Sequence, residues 1–191
     1  MSELNLMKIN TKGNDLEEPE VILAKDAENE VIMKIMTSNE KSDDREKNLI
    51  QFSQKLLSDI AREKEISQGV FFIAEKNDGK SVLRYLSGYA HQLPESGNEI
   101  IEFGEGFPGQ VAKDSKLVII NDIPEGYMSI ESGLGKASPV SLILFPVRHN
   151  NAVLAVIELA SFHKFTPEDE QFFEQLTPFI AEQIILHINK S

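Results

Sequence analysis

Residues 104 to 109 read GEGFPG, a literal G-x-G-x-x-G. Such a loop cradles a pyrophosphate when it ends the first strand of a βαβ unit and opens a full crossover helix. The flanks partly match, with Glu99 to Phe103 reading as a strand and Gln110 to Asp114 as a helix. Three features set the dinucleotide reading aside. The loop comes after about 100 residues of chain, its helix is short, and Glu105 places a carboxylate where the pyrophosphate would lie. The glycines are expected instead to let the backbone turn tightly out of a strand, with Pro108 starting a short helix.

The chain on either side points to an antiparallel sheet. Before the loop, Leu49, Phe52, Leu56, Leu57 and Ile60 recur at helical spacing up to about Glu65, after a possible N-cap in Ser42-Asp43-Asp44. From Gly69 the period changes. Val70 to Ala74 and Val82 to Ala90 read as strands joined through Asn77-Asp78-Gly79-Lys80, the turn chemistry of a hairpin. After the loop, Leu117 to Ile120 is a brief strand, and Asn121 to Pro139 is a long irregular stretch. Strands over about 141–148 and 152–161 flank His149-Asn150-Asn151 as a second hairpin. A long helix follows, with Thr166 as N-cap, Pro167 at the first helical position and Asp169 completing a capping box. Phe172, Leu176, Phe179, Ile180, Ile184 and Ile188 mark its apolar side. Six strands with hairpin-length links between two long helices give an α+β domain over 44–191. Residues 1–43 are polar with two short apolar clusters and read as an extension or linker.

Composition narrows the chemistry. The 191 residues are 41% apolar and 26% charged, with a formal charge of −12. A phosphate backbone or an anionic membrane would be repelled by such a surface, so nucleic acid and membrane insertion are not expected. No apolar run reaches the ~20 residues that cross a bilayer. The N-terminal MSELNLMKINTKG lacks the pattern of a signal peptide, so a cytoplasmic location is expected. There is no cysteine, hence no disulfide, thiolate nucleophile or thiolate metal site. His91, His149, His163 and His187 show no metal-ligand spacing; no metal is expected, and the four read as surface or capping residues.

The segment from Phe103 to Leu176 resembles a GAF domain, most closely those of bacterial sensor histidine kinases and related signalling proteins. The resemblance rests on the GEGFPGQVA turn, Ile119 to Ile123 as an I-x-D-I form, Leu144 to Val147 as a strand ending in Pro-Val, the VIEL strand and the FTPEDE helix start. It extends over about residues 45 to 188. It implies a sheet of about six antiparallel strands, with two long terminal helices on one face and the short helix plus long loop covering a small-molecule pocket on the other. It also implies a ligand-sensing or dimerising module rather than an enzyme.

A ligand is then expected between the sheet and residues 104–139. Strand alternation puts Leu154, Val156 and Glu158 on one face of their strand and Val153, Ala155, Ile157 and Leu159 on the other. The second set is expected to meet the helices, so Glu158 faces the pocket, with Arg84 or Arg148 as candidate counter-ions. Tyr127, Met128, Ser129, Ser132 and Ser138 lie in the long loop, a candidate lid. Phe103, Phe107 and Phe145 are candidates for an apolar wall. The ligand-binding set is thus Phe103, Phe107, Tyr127, Ser132, Phe145 and Glu158. Phe165, Asp169 and Glu170 match the tail of a motif in cyclic-nucleotide-responsive GAF domains, but its Asn-Lys pair is missing and helix capping accounts for Thr166, Pro167 and Asp169.

The expected function is a non-catalytic sensor that binds an unidentified small molecule and signals through a homodimer of its terminal helices, in a sensor kinase or other signalling system. One alternative is a dimerisation or docking module whose pocket is filled by its own side chains. Another is an enzyme such as a methionine sulfoxide reductase, which the absence of cysteine disfavours.

Overall fold

The computed structural model describes residues 45–91, 100–132 and 135–189. The 1–43 extension and the Ser42-Asp43-Asp44 cap lie outside them.

Helix α1 (Arg45–Glu63) buries Leu49, Phe52, Leu56, Leu57 and Ile60, the apolar stripe of the sequence. It ends in a Schellman-type turn. Glu65 takes a left-handed φ of 51° and the Ile66 N–H reaches back to the Ala61 carbonyl at 3.0 Å. Ile66 is then buried against the same core.

Strands β1 (Gln68–Asn77), β2 (Lys80–Tyr89) and β3 (Ile100–Glu102) follow, then helix α2 (Gly106–Asp114) and strand β4 (Val118–Ile120). The 121–139 stretch is not wholly irregular. It contains a small separate hairpin of β5 (Ile130–Ser132) and β6 (Gly135–Ala137). Strands β7 (Ser141–His149) and β8 (Ala152–Ser161) and helix α3 (Pro167–Asn189) complete the chain.

The main sheet has six strands in the order β3-β2-β1-β8-β7-β4, every neighbour antiparallel. Both of its long hairpins close through two residues at positive φ, Asp78-Gly79 and Asn150-Asn151. This is the type I′ turn geometry that matches strand twist. The α+β fold is the one expected.

Helices α1 and α3 pack on one face of the sheet, where Phe71, Ile143, Ile157 and Leu159 meet Phe172, Leu176, Ile180 and Ile184. Helix α2 lies on the other face, over Val70, Phe72, Leu144 and Val156. The α3 start is a reciprocal capping box: the Thr166 N–H donates to Asp169 Oδ2 at 2.9 Å, and the Asp169 N–H to Thr166 Oγ1 at 3.3 Å.

Two placements differ from the sequence expectation. Val153 packs on the α2 side and Leu154 on the helix side, the reverse of strict alternation. A bulge causes it: Val147 pairs with Ala155 and Arg148 with Val153, so Leu154 has no partner position on β7 and the two-residue period slips by one. Phe145 lies on the helix side, stacked on Phe173 with ring centroids 4.9 Å apart, so the sheet separates it from the α2 face.

No helix among the described residues is long and apolar enough to cross a membrane.

Candidate functional site

The site is built on alternation in β1 and β8. Gln68, Val70 and Phe72 share one face of β1, and Val70 pairs with Glu158 of β8. This floor faces α2, and the GEGFPG turn brings the cover over it. Gly104 and Gly106 take φ of +96° and +57°, a region that L side chains rarely adopt. The Gly104 N–H bonds the Gly109 carbonyl at 2.7 Å, and the Gly109 N–H bonds the Glu105 carbonyl at 3.0 Å. A Cβ at Gly109 would collide with the Glu102 carbonyl oxygen. The Glu105 carboxylate folds back to accept the Glu102 N–H at 3.0 Å. The glycines therefore serve the backbone turn, and Glu105 closes it.

Between floor and cover lies a cavity of about 760 Å³, within the range of small-molecule sites. Val70, Phe72, Ile101 and Met128 give it apolar walls. Its polar lining comes from Gln68, His91, Glu105, Tyr127, Ser129 and Glu158.

Glu158 is 4% exposed. The Tyr127 hydroxyl donates to its Oε1 at 3.1 Å, joining the cover segment to the sheet floor. Tyr127 itself is held by Phe107 of α2, with ring centroids 4.7 Å apart. At the other end, Gln68 Nε2 and His91 Nδ1 are 2.7 Å apart. His91 stacks on Tyr85, and a Cβ at Gly88 would strike both of them, so a glycine there admits the two rings. Burial lowers the His91 pKa from its ordinary value of 6.5, because it penalises the charged imidazolium. Gln68 is 6% exposed, and its Oε1 has no hydrogen-bond partner among the described residues. A buried amide oxygen left so costs about 1–3 kcal/mol.

Of the sequence-derived set, Tyr127 and Glu158 meet in the cavity, and Met128 and Ser129 line it beside them. Phe107 supports Tyr127 from behind. Phe103 packs in the α2-side core and lines a separate groove at the β2–β3 edge. Phe145 is on the far side of the sheet. Ser132 ends β5, its side chain lying outside the described residues, and Ser138 is exposed.

Neither candidate counter-ion reaches Glu158. Arg84 faces the helix layer and pairs with Glu75 at 3.0 Å and Glu46 at 3.4 Å, while Arg148 donates to the Ser115 carbonyl. Gln68 and His91 are site residues that the sequence reading missed. The signal for Gln68 was available, since it lies two residues before Val70 and so on the same face of its strand; His91 follows the end of β2 through Ala90 at a φ of 48°, which no pattern announces. His187 is also not a surface residue: it is 5% exposed and lies against Phe52. Among the described residues no group of three or more His, Asp or Glu is placed to hold a metal.

The GAF domain family model matches residues 46–184. Among solved structures, the chain is similar to the GAF domain of an Acinetobacter phosphoenolpyruvate-protein phosphotransferase, at 14% identity and a TM-score of 0.65 over 84% of this chain and 94% of that one. The A. aeolicus nlh2 GAF domain in an inactive state aligns at 19% identity and a TM-score of 0.60 over 87% and 98%. Free methionine-R-sulfoxide reductase from Neisseria meningitidis, in complex with its substrate, aligns at 13% identity and a TM-score of 0.63 over 96% and 98%. No curated protein matches the sequence. At these identities the likeness to solved structures is one of fold.

Proposed function

The chain belongs to the GAF domain family, and from that premise we propose that it is a non-catalytic sensor module for a small ligand bound between the sheet and the α2 cover. The observation that carries this reading is the buried Gln68 amide oxygen, without a partner among the described residues, in the wall of a cavity of about 760 Å³. A module whose pocket is filled by its own side chains would not keep such a cavity. The Tyr127–Glu158 hydrogen bond supplies the means of response, since a ligand at Glu158 would alter a polar tie between cover and floor.

Output runs through α1 and α3, which pack together on the opposite face of the sheet. Leu186, near the end of α3, is 50% exposed, an apolar contact point for a homodimer or a docked signalling partner along these helices. The similarity to a methionine sulfoxide reductase does not extend to thiol chemistry, because none of the 191 residues is a cysteine.

The test is native mass spectrometry of protein isolated from its own cells. A bound small molecule, lost when Met128→Trp fills the cavity, is the expected result. An unliganded mass, together with no thermal stabilisation by an extract of the same cells, would overturn the reading. Light scattering that gives only monomer at high concentration would remove the dimer from it.

A further inference from the structure

We infer that the free edge of β4 pairs with the β4 edge of a second copy of the chain, antiparallel and centred on Ile119, so that two six-stranded sheets join edge to edge. This pairing uses none of the cavity residues and stands apart from the sensor reading.

The two edges of the main sheet are finished differently. At β3, Glu102 donates its N–H to the Glu105 carboxylate at 3.0 Å, and its carbonyl accepts the Glu105 N–H at 2.9 Å, so the GEGFPG turn occupies that edge. At β4, alternate residues turn their N–H and C=O away from β7. Among the described residues no backbone hydrogen bond outside the β4–β7 ladder engages 117–121. Leu117, Val118, Ile119 and Ile120 form an unbroken apolar run there, with Val118 40% exposed. An open apolar edge is a template for another strand.

Charge decides which strand fits. Lys116 and Asp122 flank the run, each three residues from Ile119. Both are exposed, and neither has an ion pair among the described residues. A lone Lys on an edge strand discourages pairing. In an antiparallel self-pairing about Ile119 the opposite holds. Lys116 of each copy then faces Asp122 of the other, and Val118 of each faces Ile120 of the other, with Cβ atoms about 4.5–5.5 Å apart. A slip of one residue sets Lys116 against Asn121 or Ile123 and loses both ion pairs. The contact is isologous, so each copy uses its edge once and the pairing closes at two. Three residues of strand make a small contact, so a transient dimer is expected.

The test is sedimentation of the full chain over a range of concentrations at ~0.15 M salt. There the Debye length is ~8 Å, which screens the general repulsion between two copies of charge −12 and leaves charges in contact their attraction. A monomer–dimer equilibrium is expected. Lys116→Glu and Asp122→Lys each set like charges opposite one another, and each should weaken the dimer about tenfold or more. The double variant restores opposite charges in exchanged places and should recover the wild-type level. Both positions are exposed, so folding is not at stake. Val118→Lys should abolish the dimer. The chain has no cysteine, so Ile119→Cys supplies a single thiol; oxidation is expected to link two copies through it, and Lys80→Cys at the start of β2 controls for random collision.

A protein that stays monomeric at high concentration overturns the inference. Weakening that the double variant does not recover overturns it too, since the match of Lys116 with Asp122 sets the register. A dimer that Leu186→Glu abolishes and the β4 variants leave unchanged puts the contact on the helices and overturns it. So does a monomer whose 117–121 amides slow their exchange only when another protein is added, which gives the edge to a foreign strand.

Discussion

Gly109 and His91 show how single positions in this domain are fixed by what lies beside them. Helix propensity alone would make Gly109→Ala stabilising by about 1 kcal/mol, since the residue sits within α2. The steric term decides the other way. A Cβ there meets the Glu102 carbonyl oxygen, which belongs to the backbone and cannot swing aside, and Gly104 N at 3.2 Å. Gly109→Ala is therefore expected to cost about 2–4 kcal/mol, read as a fall in the urea midpoint; an unchanged or raised midpoint would contradict this account of the turn. His91 carries a prediction in pH. Its folded pKa lies below the ordinary 6.5, so the unfolded chain binds the proton more readily than the folded one. Its contribution to stability is full above pH 6.5 and declines as the pH falls from there toward the folded pKa. The stability difference between wild type and His91→Gln should thus shift against wild type across that window. A difference that stays flat, or moves toward wild type on acidification, would show the sign to be wrong.

Individual elements account for what the sequence disclosed and what it withheld. The capping box of α3 was legible because Thr166, Pro167 and Asp169 act on backbone within one turn, and the structure forms both reciprocal bonds. Thr166→Ala should cost about 1 kcal/mol. The measurement is the shift in chemical-denaturation midpoint, and a loss within error would mean that the helix holds its end by packing alone. The six strands were legible for a similar reason, since hydrophobic period and turn residues are local. The bulge at Leu154 was not, because a slip of one residue depends on how β7 and β8 meet, 147–148 against 153–155. It reverses Val153 and Leu154 while leaving Val156 and Glu158 on the face that alternation assigned them. Phe145 was misplaced because β7 is buried on both faces from Ser141 to Val147, so its sequence carries no polar alternation to tell the sides apart. The Arg84 pairing was equally hidden: its acidic neighbours come from α1 and from the facing position region of β1, two elements whose approach only the fold decides.

At the scale of the whole molecule, one sheet divides two cores of unlike character. The helix side is closed by α1 and α3, and the other side by a nine-residue helix, a loop and a cavity. Adjacent residues of β1 sample both. Phe71 is fully buried among the helices, while Phe72, only 2% exposed, forms part of the cavity wall. Truncating Phe71 opens a new void in a layer that two long helices hold in place, and Phe71→Ala is expected to cost about 3–5 kcal/mol. Truncating Phe72 enlarges a space already present beneath a cover that can adjust, so Phe72→Ala should cost less. The two should differ in kind as well. Phe72→Ala is expected to speed amide exchange in residues 121–132 and leave the middle of α3 unchanged, as local opening of the cover requires. Phe71→Ala is expected to lower protection in α3 together with β1 and β8. Equal losses of stability, or faster exchange in α3 on truncating Phe72, would mean that the two layers open as one unit. The proposed sensor role would need the first behaviour, because its cover would have to yield to a ligand while α1 and α3 stay folded. Strands β1 and β8 contribute side chains to both layers, so under that proposal strain from Gln68 and Glu158 would reach α1 and α3 through them.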